Sequence, residues 1–423
     1  MSHAPEESTV TPARRERVQK FFYERLGLSL LASLAAKKLV PIHRCTPFYF
    51  LGGMALFLFF IQVVSGVLLS LYYKPSPDQA FESVQAFMTE VDFGWLIRSV
   101  HSWAANILIG ILFLHLLTAY MMRAYRRPRE LTWVSGILLI GLFMAFGFSG
   151  YLLPWNQLAF FATRVGTALV GVVPVVGPDL LLLARGGENV TGDTLSRFYA
   201  LHVAILPLLT LAVLGLHLFL VQHHGMSTPD REAQRCGGPD RVPTMPFFPD
   251  FLLRDAVGWY LALGILAALA ALFPWELGEK AEPFSSAPEG IKPEWYFLFM
   301  FQALKQLPGH ILGMEGEMLG VLFFGCAGLV IFLVPFLDRG RFSRLVLNIL
   351  ATLAVAFFIV MTAWGYFDED NLRLILGASL FLGVLSLTVS FSDRGTLARR
   401  ALWILAVLAA LLLIIGISRE LYL

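Results

Sequence analysis

Charged residues are scarce in this sequence, and their scarcity excludes an ordinary soluble protein. Asp, Glu, Lys and Arg make up 15% of the 423 residues, whereas apolar residues make up 57%. The mean hydropathy is +0.69. A soluble chain of this length would carry more charge, so most of the chain must lie in a bilayer. The formal net charge of +2 implies no strongly basic or acidic partner, and we expect no binding to nucleic acid.

Cysteine is also scarce, and its placement excludes several kinds of site. The three cysteines, Cys45, Cys236 and Cys326, are scattered and form neither a CxxC nor a CxxCH motif. This pattern argues against a disulfide framework, a zinc site and ordinary c-type haem attachment.

Long apolar runs are what the sequence has instead. A helix that crosses a bilayer needs about 20 apolar residues. Nine candidate spans lie roughly at 49–72, 97–121, 132–152, 200–221, 255–273, 318–337, 345–365, 372–391 and 400–418. The stretch 21–40 mixes apolar and charged residues and predicts an amphipathic helix on the membrane surface. The predicted fold is an all-α, polytopic transmembrane protein.

The distribution of Lys and Arg predicts the orientation of the chain. These residues cluster before span one, after spans two, four and six, and before span nine. Since Lys and Arg favour the cytoplasmic side, the N-terminus is expected in the cytoplasm. Nine spans then put the C-terminus outside. The two long connections, 153–199 and 274–317, fall on the outer side.

Two spans carry a pair of histidines each. His101 and His115 are fourteen positions apart in span two, and His202 and His217 are fifteen positions apart in span four. On a helix such intervals put both rings on nearly one face, about 21 Å apart along the axis. Both spans run from outside to inside, so His101 and His202 share an outer depth, and His115 and His217 an inner one.

A buried imidazole in a membrane needs a partner, and a single one is most often satisfied by a hydrogen bond to a neighbouring helix. Four histidines at two matched depths favour a different interpretation. Two pairs of neutral nitrogen ligands suit two six-coordinate irons, and haem fits an apolar helical bundle. We therefore predict two haems b, each bound by two histidines.

Glycines at a matching interval accompany the histidines. Gly52 and Gly66 in span one, and Gly136 and Gly150 in span three, are each fourteen positions apart. Glycine in a membrane helix usually serves helix–helix contact, but here it would also let a flat macrocycle approach the backbone. Arg98, one turn before His101, is placed to pair with a propionate of the outer haem.

An acid in the second outer connection allows two interpretations. Pro293 and Glu294 open an amphipathic segment, where proline and glutamate both suit the first turn of a helix. Alternatively, Glu294 is a carboxylate beside an aromatic pocket near the outer haem. There it could accept a proton from a quinol during oxidation.

Five segments together resemble cytochrome b of the quinol-oxidising cytochrome bc and b-f complexes. They are FGWLIRSVHSW (93–103), RRPRELTWVSG (126–136), GYLLPWNQ (150–157), TLSRFYALH (194–202) and PEWYFLFMFQALKQLP (293–308). Residues up to about 230 resemble the short four-helix cytochrome b of the b-f type, and residues from about 245 to 366 resemble its separate subunit IV. The predicted domains are 1–45 (cytoplasmic tail and surface helix), 46–230 (four-helix di-haem bundle), 231–366 (subunit IV-like) and 367–423 (two further spans).

The resemblance implies specific roles for residues of the outer site. Glu294 matches the quinol-site acid of the family, with Pro293 and Tyr296 beside it. The other wall of that site matches Gly150, Tyr151, Pro154 and Trp155. The family's covalently attached extra haem is not expected here, since Phe50 stands where its cysteine would be. Asn156 replaces an acid of the b-f family.

The implied function is that of a quinol:cytochrome c, or similar acceptor, oxidoreductase subunit in the bacterial cytoplasmic membrane. Electrons from quinol would pass to a Rieske-type iron–sulfur protein and through the two haems to an inner quinone site, building a proton gradient. A c-type cytochrome is the further expected partner, and homodimerisation is expected by family analogy. Two alternatives remain open: a haem-bearing membrane anchor for a dehydrogenase, and a transporter without haem.

Overall fold

The computed structural model of the chain describes residues 38 to 367, apart from 289 and 312, together with Arg17, Lys20, Phe21 and Arg25. In this part of the chain, seven helices are long and apolar enough to cross a membrane. They cover Thr46–Ser70, Gly94–Met121, Glu130–Leu152, Gly192–His224, Phe247–Leu272, Gly316–Leu337 and Phe342–Tyr366. The first seven predicted spans are thereby confirmed. The predicted eighth and ninth spans lie outside the described residues.

The described helices are labelled in chain order. They are α1 Phe50–Ser70, α2 Ala80–Glu90, α3 Gly94–Met121, α4 Glu130–Leu152, α5 Gln157–Gly171, α6 Gly177–Arg185, α7 Gly192–Ala200, α8 Leu206–His224, α9 Asp230–Arg235, α10 Leu252–Leu272, α11 Trp295–Lys305, α12 Gly316–Leu337 and α13 Arg341–Tyr366. Two small antiparallel strand pairs complete the fold. Their strands are β1 Leu39–Pro41 with β2 Thr244–Pro246, and β3 His310–Ile311 with β4 Met314–Glu315.

The predicted surface helix over 21–40 is wrong at its end. Leu39 and Val40 belong to strand β1, and Val40 is fully buried against Met245 and Phe251. A strand forms here because pairing with β2 satisfies the backbone and buries the branched side chain of Val40. The rest of that predicted helix lies almost entirely outside the described residues.

Helices α1, α3, α4 and α8 form the bundle that positions the histidines. Helix α1 packs along α3, α4 packs along α8, and α10 contacts both α1 and α3. Small and aliphatic side chains fill the space where they meet, among them Leu58, Ala104, Leu108 and Leu266. The outward faces stay apolar, as expected for helices whose backbone polar groups are satisfied internally and whose surroundings are lipid.

A π-helical turn interrupts the long helix that carries the second pair of histidines. Residues Leu201–Ile205 form this turn between α7 and α8, and Pro207 follows it in the first turn of α8. A π turn takes in one residue more than an α turn, and proline has no N–H to continue the regular hydrogen-bond ladder. The turn therefore accommodates the additional residue in the interval from His202 to His217.

The two long connections meet at the start of α5. Asn156 caps this helix, its Oδ1 accepting a hydrogen bond from the N–H of Ala159 at 2.8 Å. The same side chain donates through Nδ2 to the carbonyl of Leu277 at 2.6 Å, and the backbone N–H of Ala281 donates to the carbonyl of Trp155 at 3.0 Å. These bonds hold the segment before α11 against the end of α4.

Candidate functional site

His101 on α3 and His202 in the π turn face each other across the bundle. Their ring centroids are 6.4 Å apart, and the ring planes are inclined by 68°. Metal–imidazole nitrogen bonds are about 2 Å long, so one ion held by both rings would fit this separation. We call these residues the first histidine pair.

His115 on α3 and His217 on α8 form the second histidine pair, one level further along the same two helices. The two rings are close enough to interact electrostatically. His217 Nδ1 is hydrogen-bonded to Ser135 Oγ at 2.9 Å. His115 Nδ1 is buried and has no hydrogen-bond partner among the described residues.

Each of the four predicted glycines lies against one of the four imidazoles. A Cβ atom built on Gly52 would stand 3.4 Å from Cε1 of His115, and one on Gly66 would stand 3.2 Å from Cε1 of His101. The corresponding distances are 3.3 Å from Gly136 to His217 and 2.6 Å from Gly150 to His202. The glycines therefore make room for the imidazole rings. Their expected role in the approach of a macrocycle stays a prediction.

The donor set fits haem better than a bare metal ion. The described residues contain no cluster of three or more His, Cys, Asp or Glu side chains that could hold a metal. Each pair supplies two imidazoles in apolar surroundings, so an ion there would need its other ligands from a cofactor. A haem iron with two axial histidines has this requirement. The four histidines could thus hold two haems, one per pair.

A cavity of about 440 Å³ extends from the first histidine pair to the predicted acid. Its lining includes His101, His202, Gly66, Gly150 and Arg98, together with Tyr151, Pro154, Glu294 and Tyr296. The structure therefore brings most of the predicted outer-site residues to one space. Two are placed elsewhere. Pro293 is not part of the lining, and Trp155 is 3% exposed in the apolar cluster behind the wall, packed edge-on against Phe160.

Glu294 precedes α11, yet its side chain makes no capping hydrogen bond. It lines the cavity instead, and burial raises the pKa of its carboxyl group to about 7. Tyr296 is 3% exposed, and burial, with Glu294 nearby, raises the pKa of its phenol. The indole N–H of Trp295 donates to Oδ1 of Asn106 on α3 at 2.9 Å, which fixes the start of α11 against the bundle.

Arg98 reaches the cavity from the first turns of α3. Its guanidinium donates to the carbonyl oxygens of Trp275 and Glu276, the latter at 3.1 Å. The side chain is only 6% exposed. A buried cation at this place could also pair with an anionic group of a bound cofactor, and that pairing stays a prediction.

Sequence reasoning missed several groups around these sites. Ser65, Ser135 and Ser149 contact three of the four imidazoles. Their signal in the sequence is that each directly precedes one of the four glycines.

Asp255 on α10 is also buried. Its Oδ1 has no hydrogen-bond partner among the described residues, and its carboxylate lies against Gly53. An acid within an apolar span was the signal that could have revealed it.

Comparison with known families agrees with this architecture. The family model described as Cytochrome b/b6/petB matches residues 36–225. The model described as Cytochrome b(C-terminal)/b6/petD matches residues 280–385.

Individual proteins match either most of the chain or its N-terminal half. The cytochrome bc complex cytochrome b subunit of Chlorobaculum thiosulfatiphilum is 43% identical over 375 residues, which are 87% of this chain and 85% of that protein. Cytochrome b6 of Heliobacterium mobile is 45% identical over 207 residues, covering 49% of this chain and 97% of the relative. A chain of a hyperthermophilic respiratory Complex III has a TM-score of 0.72 at 31% identity, with coverage of 88% and 98%.

The fold and the histidine pairs define a polytopic helical membrane protein of the electron-transfer class. The two family models and the Chlorobaculum relative, which is 43% identical, cover most of the sequence. The chain belongs to the cytochrome b family, whose members bind haem b. It is the cytochrome b of a bc- or b6f-type complex, an oxidoreductase with further subunits.

Proposed function

We propose that this chain is the di-haem subunit of a quinol:cytochrome c, or similar acceptor, oxidoreductase. The observation that carries the proposal is the cavity shared by the first histidine pair, Glu294 and Tyr296. A quinol in this cavity would lie beside both an electron acceptor and a buried carboxylate. When bound, haem supplies one-electron transfer. His101 and His202 would hold one haem, and His115 and His217 the other.

Glu294 is suited to receive a proton from the quinol. A general base works best when its pKa lies near the operating pH, and burial brings the pKa of Glu294 to about 7. A carboxylate of ordinary pKa would be a weaker base, whereas a group with a much higher pKa would be protonated already. Glu294 could therefore take up a proton at neutral pH and release it again to water.

The distribution of Lys and Arg supports the orientation. It favours an arrangement with the first histidine pair and Glu294 on the outer side of a bacterial cytoplasmic membrane, and with the second pair and the N-terminus towards the cytoplasm. Proton release outside and quinone reduction inside would then contribute to a proton gradient. We further propose a Rieske-type iron–sulfur protein and a c-type cytochrome as partners, with the complex assembled as a homodimer. The division into residues 1–45, 46–230, 231–366 and 367–423 belongs to the same proposal.

Replacing Glu294 by Gln in the purified complex tests the outer site. Quinol-to-cytochrome turnover is expected to fall at least tenfold while the b-type absorption stays unchanged, because the substitution removes the base without changing its size. Glu315→Gln is the matched control. Glu315 is an exposed glutamate that precedes helix α12 and likewise makes no capping hydrogen bond.

The outcome also separates the alternatives. Unchanged turnover in the Glu294→Gln complex would favour a haem-bearing anchor that relays electrons between a dehydrogenase and quinone. A reduced-minus-oxidised spectrum without a b-type α band would favour a transporter and end the proposal.

A further inference from the structure

Three of the four imidazoles contact a Ser–Gly dipeptide on the neighbouring helix. Ser65–Gly66, Ser135–Gly136 and Ser149–Gly150 each place a glycine against an imidazole and a serine hydroxyl at its Nδ1. The Oγ–Nδ1 distances are 2.9 Å for His101, 2.9 Å for His217 and 3.1 Å for His202. The corresponding dipeptide at the fourth imidazole is Leu51–Gly52, which has no hydroxyl that could bond to His115.

We infer that Ser65, Ser135 and Ser149 are positioning residues that fix the tautomer and strengthen the donor nitrogen of three haem ligands. Because Leu51 offers no hydroxyl, His115 is the weakest nitrogen donor among the four histidines. The inference rests on the proposed two-haem function.

The direction of these hydrogen bonds follows from the serines' other contacts. The hydroxyl of Ser65 is 2.7 Å from the carbonyl of Ile61, and that of Ser149 is 2.8 Å from the carbonyl of Ala145. A hydroxyl has a single proton, and a carbonyl oxygen can only accept. Each serine therefore donates to its own helix and accepts from the imidazole. Ser135 has the same arrangement with Thr132, at 3.0 Å.

This direction puts a proton on Nδ1 of the imidazole. In a neutral imidazole with Nδ1 protonated, Nε2 carries the free lone pair. Nε2 is then the atom available to a metal, and the hydrogen bond at Nδ1 makes it a stronger donor. Nothing in the sequence of the histidine spans alone fixes this choice, because the serines lie on the other two helices of the bundle.

Leu51, the residue without a hydroxyl, occupies a position on α1 equivalent to that of Ser65. Leu51 and Ser65 are fourteen positions apart on α1, as are Ser135 and Ser149 on α4. A Cβ atom built on Gly52 would stand 3.4 Å from His115, slightly farther than the 3.2 Å and 3.3 Å found for His101 and His217, and the Nδ1 atom of His115 is buried without a partner among the described residues. Position 51 is occupied by an apolar residue, which offers no hydroxyl for this hydrogen bond.

The asymmetry predicts a difference in reduction potential. A stronger donor nitrogen stabilises the oxidised metal and so lowers its potential. The first pair has two serine-bonded imidazoles, whereas the second has one. By itself, the serine pattern would therefore make the second site the more easily reduced of the two.

Potentiometric titration of the α bands in the purified complex, with low-temperature electron paramagnetic resonance, tests the inference. Ser65→Ala is expected to shift the midpoint potential of the first-pair haem upward and leave the other unchanged. Ser65→Thr keeps the hydroxyl and should restore the original value. Thr352→Ala is the control, because the hydroxyl of this residue on α13 donates to the carbonyl of Asn348 and does not line the cavity.

Leu51→Ser provides the opposite test, because it adds a hydroxyl where one is missing. It should lower the potential of the second-pair haem and change its largest g value. The inference is overturned if Ser65→Ala and Leu51→Ser bind both haems yet leave both potentials and g values as in the unmodified complex. An unmodified complex without two b-type haems would instead refute the proposed function on which the inference rests.

Discussion

The phenol oxygen of Tyr296 on α11 lies directly against Gly147 on α4. A Cβ atom built on Gly147 would stand 2.5 Å from this oxygen and 3.0 Å from the ring carbon that bears it. Both residues line the cavity, and Tyr296 is almost completely buried. The missing side chain at position 147 therefore determines how deeply Tyr296 can enter the cavity wall.

Gly147→Ala is expected to displace Tyr296 and to lower quinol oxidation while both haem signals persist. Misplacing a positioning group by about 1 Å can cost up to roughly a hundredfold in rate, so we expect a loss of tenfold or more. Gly141→Ala on the same helix is the control, because a Cβ there has no neighbour within 4 Å. Equal turnover in the two variants would show that the contact with Tyr296 is irrelevant to catalysis.

The pH dependence of quinol oxidation follows from the raised pKa of Glu294. A base must be unprotonated to act, so the rate is expected to rise with pH and to reach half its plateau near pH 7. In Glu294→Gln this inflection should disappear. A pH–rate profile of the purified complex from pH 5.5 to 8.5, on the order of one and a half units either side of the pKa, provides the measurement. An inflection that persists in the variant would assign the titration to another group.

The raised pKa of Glu294 also makes the stability of the folded protein depend on pH. Its pKa is raised from 4.5 to about 7 on folding, so the folded state holds the proton more tightly. Its contribution to stability is fully present below pH 4.5 and is lost as the pH rises through about 7. Glu294→Gln should therefore unfold at a temperature that depends less on pH over this window, as followed by light scattering or intrinsic fluorescence.

His217→Leu is expected to remove the haem of the second pair and to spare that of the first. The imidazole is one of two ligands from the chain at this level, and leucine offers no donor. Haem quantitation with pyridine should give half the haem per chain, and the α band should lose one component. His223→Leu, near the end of the same helix, is the control. Retention of both haems in His217→Leu would refute the ligand assignment.

Asn156→Asp is expected to destabilise the contact between the two long connections. A carboxylate could still cap α5, but it cannot donate to the carbonyl of Leu277 as the amide does. Losing this partly buried hydrogen bond costs about 0.5–1.5 kcal/mol. Limited proteolysis of the segment 273–294 in the purified complex should therefore accelerate. Asn189→Asp, an exposed position in the first of the two connections, should leave the cleavage rate unchanged.

Hydropathy alone determined the first seven spans, because a helix in lipid must be long and apolar whatever packs beside it. The histidine intervals likewise follow from helix geometry and appear directly in the sequence. The end of the predicted surface helix was wrong because Val40 pairs with Met245 in β2, which lies far along the chain, and hydrophobic periodicity does not report such pairing. The placement of Trp155 behind the cavity wall likewise depends on contacts between distant segments.

The sequence by itself determined which residue types stand at which depth: two histidines on each of two helices, glycines at the same interval, and an acid beside an aromatic run. Only the tertiary structure decided what each imidazole touches. The serines that contact His101, His202 and His217 lie on other helices, and the π turn that brings His202 into register has no periodic signal. Apolar periodicity is a property of one helix in lipid, whereas a hydrogen bond between helices depends on how two of them pack.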